Sequence, residues 1–175
     1  MTAATLHDVI AERAVLGSML MSTDIAEQVT EVIDAADYYQ PSHAAIHAAL
    51  VAAINQGTPT DAIAIATRLA QTGELERAGG AVYLHDLLTT VNIAASAPWH
   101  AKQLADLSTR RQLAAASIRI HQRVNNLETP TADVISAAQD DLYLATVGRA
   151  QTETTAFGDG LDDTVEAICN PETTA

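Results

Sequence analysis

His43 and His47 stand four residues apart in Pro41-Ser42-His43-Ala44-Ala45-Ile46-His47, the spacing that puts two imidazoles on one helical face, where they can share a zinc ion. A hydrolytic zinc helix of the H-E-x-x-H kind places its general-base glutamate directly after the first histidine. Here that position is Ala44, and no cysteine or acidic residue nearby in sequence completes a ligand set. The pair therefore reads as core or surface histidines, and His7, His85, His100 and His121 show no ligand spacing. Cys169 is a lone cysteine, so an intramolecular disulfide is excluded and a thiol nucleophile has thin support. No G-x-S-x-G elbow is present. Gly79-Gly80 suggests a phosphate loop, but a P-loop needs G-x-x-x-x-G-K-[ST], and the only lysine, Lys102, is not preceded by glycine. What remains is a set of cations, Arg110, Arg111, Arg119 and Arg123, fit either for an acidic or phosphate-bearing partner or for a solvated polar face.

These arginines lie on the stretch from Ser96 to Asn126, which has no glycine and a single proline, Pro98, where a first helical turn tolerates it. Leu113, Ala116, Ile120 and Val124 recur at spacings of three and four, so one apolar stripe runs down the predicted helix. At about 1.5 Å per residue that helix spans roughly 40 Å, more than the rest of a small domain covers. Asn125-Asn126 breaks it, and Thr129-Pro130 reads as an N-cap followed by proline at the first helical position. The next helix carries Ile135, Ala138, Leu142 and Ala145 on one face and Val134, Ala137 and Leu144 on the adjoining one. Two such helices joined by a short connection make an antiparallel hairpin. Being apolar on more than one face, it requires a partner besides itself. The expected seam sets Leu113, Ala116, Ile120 and Val124 against Ile135, Ala138 and Leu142. Arg110, Arg111, Arg119 and Arg123 and the opposite face, with Val134, are then left for a second protomer or another protein.

The preceding chain reads as five further helices. Asp8 caps a helix over about Val9–Met21, and Ser22-Thr23-Asp24 breaks it and caps the next. Pro41 opens a third that Gly57 closes; Asp61 caps a fourth to about Gln71; Gly79-Gly80 precedes the fifth, from Ala81. No strand and no repeat of 20–50 residues is evident. The fold class is all-α: a helical head over 1–95, a hairpin over 96–148, and an acidic linker over 149–175 in which LDDTVEAIC makes one short helix.

Composition sets the outer bounds. Of the 175 residues 48% are hydrophobic and only 3% aromatic, with alanine supplying much of the apolar count, which favours closely packed helices. A net charge of −13 argues against gripping nucleic acid, which needs concentrated Lys and Arg. From Glu128 onward ten acidic residues face Arg149 alone, so this segment carries −9 of the −13 and suits solubility or a basic partner. The first residues are interrupted by charge too early for a signal peptide, and no apolar run reaches the roughly 18 residues of a membrane span. A soluble, cytoplasmic protein is expected.

Four segments in order resemble the N-terminal domain of the DnaB-type replicative DNA helicase. Ala11-Glu12-Arg13-Ala14-Val15-Leu16-Gly17-Ser18-Met19-Leu20 is similar to that family's opening EAEQAVLGALL. Asp37-Tyr38-Tyr39-Gln40-Pro41-Ser42-His43, running to Ile46, is similar to DFYRPAHRLIF, and Gly57-Thr58-Pro59-Thr60-Asp61 to GEPID. The most specific is Gly73 to Leu84, GELERAGGAVYL beside the family's GELEEVGGAAYL. Val91–Ser96 stands where the family has VPTAAN, without its proline. The resemblance covers roughly 6–147 and implies a helical head followed by a hairpin. It also implies a homo-oligomer, paired through hairpins and hexameric with the ATPase domain, that docks the C-terminal domain of primase and sometimes a loader protein. ATP and magnesium would belong to a RecA-like domain beyond Ala175, so no cofactor and no helicase activity are expected of these residues. The alternative is a stand-alone regulator that binds helicase or primase and modulates assembly.

Overall fold

Asp8 starts the first helix by accepting a hydrogen bond from the Ala11 N–H at 2.9 Å, the N-cap role its position predicts. That helix, α1 (Val9–Met21), ends at Ser22, whose extended backbone breaks the helix and whose Oγ caps α2 (Thr23–Thr30). A 3₁₀ turn at Ala35–Asp37, closed by a capping box between Asp34 and Asp37, was not evident in the sequence. α3 (Pro41–Asn55) opens on Pro41, and α4 (Ala62–Gln71) is capped by Asp61 through the N–H groups of Ile63 and Ala64. Gly79 and Gly80 both have positive φ, 98° and 81°, so the pair turns the chain left-handed into α5 (Gly80–Thr89). The computed structural model describes residues 5–91 and 93–146; the acidic linker over 149–175 and its expected short helix lie outside them.

α6 (Ala97–Val124) is one uninterrupted helix, with Pro98 in its first turn as anticipated. After a turn a seventh helix, α7, covers 131–146. Its first N–H bonds, from Asp133 and Val134, go to the Pro130 carbonyl, so it opens one residue later than the expected Thr129 cap. Among the described residues the fold is all-α, with a second 3₁₀ turn at Ala94–Ser96 and no strand.

Backbone proximity divides the chain into two units, Met1–Arg111 and Gln112–Ala175, so the division falls inside α6. In the first unit Leu16, Met19, Ile46, Leu50, Ile65, Leu84, Leu87 and Leu104 are fully buried in one continuous core. Each such side chain contributes about 1.5–3 kcal/mol by leaving water. Ala97, Ala101, Leu104 and Ala105 of α6 recur at helical spacing and join this core, which makes the first half of α6 part of the head. α1 and α5 touch almost backbone to backbone: a Cβ built on Gly17 would stand 2.3 Å from the Leu87 carbonyl oxygen. Glycine there sets the closeness of the two helices.

In the second unit the described residues bury little. Ala116, Asp141 and Ala145 are the buried ones, and Ile120, Arg123, Val134, Ala137 and Ala138 are half-buried. This corrects the expected seam. Ala116 and Ile120 do turn inward, but Leu113 (37% exposed), Val124 (58%), Ile135 (56%) and Leu142 (47%) do not. At about 100° per residue Ala116 lies about 60° around its helix from Leu113, and Ala138 and Ala145 lie about 60–80° around theirs from Ile135. The inward side of each stripe is therefore its alanine flank, and the larger side chains of the other flank stay outward.

Candidate functional site

The motif residues of the head converge on a buried polar network. Glu12 projects from α1 into the core with no exposed surface. Its Oε1 accepts the Tyr39 N–H at 2.6 Å and its Oε2 accepts the Gln40 N–H at 3.4 Å, N–H groups that precede α3. Oε2 also meets His43 Nδ1 at 2.5 Å, and His43 Nε2 meets the Tyr83 hydroxyl at 2.6 Å. One carboxylate thereby ties α1, the entry to α3 and, through His43, α5. One turn further along α3, Tyr38 Oη lies 3.2 Å from His47 Nδ1. Among the described residues His47 Nε2 and Arg13 Nε are buried without a hydrogen-bond partner, and the Arg13 guanidinium lies 5.9 Å from the Tyr83 ring centroid.

The electrostatics suit a brace more than a reactive centre. Burial pushes His47 from 6.5 down to about 4, against the opposing pull of Asp34 and Asp37, so the ring is neutral near pH 7. Burial raises Tyr38 well above the ordinary phenol value, helped by Glu12 and Asp37. Burial likewise raises Tyr83, with Arg13 opposing. Both hydroxyls therefore stay protonated and able to donate. The two histidines do share a helical face, but both nitrogens of His43 are engaged by Glu12 and Tyr83, leaving it none to offer a zinc ion. Among the described residues no three His, Cys, Asp or Glu gather as a metal site.

The arginines have partners within the chain. Arg110 pairs with Asp106 at 2.7 Å along the exposed surface of α6. Arg111 donates to the carbonyls of Leu6 and Asp37, at 2.8 and 2.5 Å, and so pins the N-terminal segment and the first 3₁₀ turn to α6. In the second unit Arg119 and Arg123 both grip Asp141 across the hairpin, Arg119 Nε at 2.9 Å. These bonds, that from Arg119 foremost, hold the Asp141 carboxyl below its ordinary range. Three of the four arginines thus have a structural role that spacing alone did not reveal.

Large apolar side chains left outward mark the remaining candidates. On the second unit they are Leu113, Ile118, Val124, Leu127, Ile135, Leu142, Tyr143 and Leu144. On the head, Ile10 (81% exposed) and Trp99 (61%) flank a hollow of about 410 Å³ whose wall includes Asp8, Thr90, His100 and Leu107. Sequence reasoning passed over Glu12 and Tyr83. Glu12 occupies the same helical face as Val15, Leu16 and Met19, and an acid within an apolar stripe is the signal that would have found it.

A helical head braced by a buried carboxylate, followed by a hairpin with outward apolar side chains, defines an all-helical domain. Residues 4–106 match the family described as the DnaB-like helicase N terminal domain, and the chain belongs to that family. It is 39% identical over 140 residues to the replicative DNA helicase DnaB of Leifsonia xyli subsp. xyli (strain CTCB07), a match covering 80% of this chain and 31% of that protein. To the DnaB of Mycobacterium leprae (strain TN) it is 36% identical over 139 residues, 78% of this chain and 23% of that one. The chain thus spans a third or less of these curated relatives. The crystal structure of the N-terminal domain of DnaB helicase from Mycobacterium tuberculosis superposes with a TM-score of 0.76 at 35% identity, covering 80% of this chain and 99% of that one. A structure described as a DnaB-like replicative helicase and its interactions with primase shares the fold at 22% identity, TM-score 0.64, over 87% of this chain and 35% of that one. The match is thus to the N-terminal domain of a helicase family, and these 175 residues hold no P-loop. No helix among the described residues is long and apolar enough to cross a membrane.

Proposed function

We propose that this chain serves as the assembly and primase-docking domain at the N-terminus of a DnaB-type replicative helicase, pairing through its hairpin. The observation that carries the reading is the outward apolar face of the second unit, where Leu113, Val124, Ile135 and Leu142 stay exposed although Ala116 and Ile120 turn inward. Large apolar side chains exposed together on one short helical unit support an interaction site there. On this reading Ala116, Ile120 and Val134 shape the seam within the hairpin, and the exposed four bear on a second protomer. Arg110 stays at the rim, while Arg111 and Arg123 brace the surfaces from within. The second apolar patch, Ile10 with Trp99, supports docking of a different protein, since an exposed tryptophan beside a hollow is a common anchor of interfaces. In the full-length helicase this pairing would build a ring collar, and a loader would be a further client.

The test is the solution mass of the chain, alone and with the cognate primase C-terminal domain. A dimer that shifts on adding primase is expected. A monomer indifferent to primase overturns both parts of the reading. A chain that binds intact helicase and blocks its assembly would mark a regulator instead. Replacing Ile120 with Asp addresses the hairpin directly: unchanged dimer mass together with unchanged helicity would remove it from the interface and from the seam.

A further inference from the structure

A second groove lies on the head, away from the residues assigned above. Its floor is the outer side of α3, where Ala44, Ala48 and Ala52 follow one another at one-turn intervals, and Leu69 of α4. Arg68 on α4 and Arg77 just beyond it stand on the walls, and the space between is about 430 Å³. Alanine side chains are short, so a helix laid here can approach α3 at the close end of the 8–10 Å range of helix spacings, about 8 Å. Ala44 to Ala52 covers about 12 Å of α3, or roughly two turns of an occupant helix.

Charge selects the occupant. Arg68 is held by two neutral acceptors, Gln56 Oε1 at 2.7 Å and Thr58 Oγ1 at 3.0 Å. Among the described residues no carboxylate pairs with it. In a chain of net charge −13, this is a fixed cation left without an anion beside an apolar floor. Arg77 stands on the rim as well, but half-buried Glu74, which lines the same groove, pairs with it at 3.1 Å, so Arg68 is the cation left to meet an acid. We propose that this groove docks an amphipathic helix of another protein, one whose narrow apolar stripe is made of small residues and flanked by acidic side chains, one of them reaching Arg68. Alanine opposite alanine gives the close approach, and the acid meets a guanidinium whose geometry is already set by Gln56 and Thr58.

The probe is a fluorescein-labelled helical peptide of alanine and glutamate, with alanines spaced by three and four and glutamates alongside, titrated against the 175-residue chain by anisotropy. Its counterpart replaces every glutamate with lysine. The acidic peptide is expected to bind saturably, at least about tenfold tighter than the basic one. Ala48→Trp, which fills the floor from an exposed position, and Arg68→Gln are each expected to weaken it about tenfold with the thermal melt unchanged. Should Ala48→Trp disturb folding, Arg77→Glu supplies the second arm. Equal binding of the two peptides, no binding up to millimolar, or indifference to these substitutions overturns the proposal. So does a solution dimer of the chain that Ala48→Trp dissociates, since the groove would then be a contact between copies. Hairpin-face substitutions leave this binding unchanged, so the groove and the hairpin reading fail separately.

Discussion

The head and the hairpin unit solve the same problem with opposite means. The head buries large side chains around α1, α3, α4, α5 and the first half of α6, and places a fully buried carboxylate among them. The described residues of the second unit bury only two alanines and one aspartate while turning Leu127, Tyr143 and Leu144 outward. The head is complete in itself. The hairpin is closed by a charged clamp and small residues, with its large apolar groups held in reserve. Alanine-rich sequence serves both: it lets helices approach closely in the head and leaves too little apolar volume for the hairpin to make a core of its own.

The largest effect on that contrast should come from Glu12→Ala. It leaves the part-buried Tyr39 and Gln40 N–H groups and the buried His43 Nδ1 without their acceptor, and a buried polar group left unsatisfied costs about 1–3 kcal/mol. Urea unfolding should show the whole head weakened; a loss below about 1 kcal/mol, the net worth of an ordinary hydrogen bond, would mean that the network is not a brace.

Acid should act next, through His47. Its pKa is about 4 in the fold against 6.5 as an ordinary imidazole, so the unfolded chain takes up the proton first. The stabilisation is full above pH 6.5 and is lost as the pH falls from there toward 4, reaching about 2–3 kcal/mol by pH 4.5. His47→Gln removes this slope, and parallel pH profiles for the two proteins would contradict it.

Gly17→Ala forces a methyl group against the Leu87 carbonyl and Val91 Cγ2, and overpacking of this kind costs about 1–3 kcal/mol. A lower thermal midpoint with unchanged helicity is the expected reading. Asp141→Asn should be gentler and confined to the other unit: amide protection over 112–146 drops while that of the head holds. A uniform loss across both units would mean that the two do not behave as separate bodies. Smallest in stability and largest in mass is Ile135→Asp with Leu142→Asp. Both sites are already exposed, so the melt barely moves, whereas sedimentation should report a monomer.

Much of the fold was legible because helical signals are local. Asp8 and Asp61 as caps, Pro41 and Pro98 in first turns, and Gly79-Gly80 as a connector each act within four residues of themselves. The resemblance to the DnaB-type domain added the correct family, on motifs whose residues include Glu12, Tyr39, His43 and Tyr83. Their purpose was not legible. Glu12 meets His43 and Tyr39 across 31 and 27 residues, and no spacing rule reaches that far. The same applies to Arg111, which periodicity placed beside an apolar stripe and the fold turned onto the Leu6 and Asp37 carbonyls.

The sequence by itself determined the helical character of the described residues, most of the places where their helices begin and end, the absence of a P-loop motif, and an apolar excess on α6 and α7. Those follow from backbone sterics, capping and composition, which act along the chain. Only the tertiary structure decided which apolar residues of that excess turn inward, which arginines are consumed inside the molecule, and why an acid stands in the first helix. Those depend on which surfaces meet across the fold, and burial gives a charge its meaning only once its neighbours are in place.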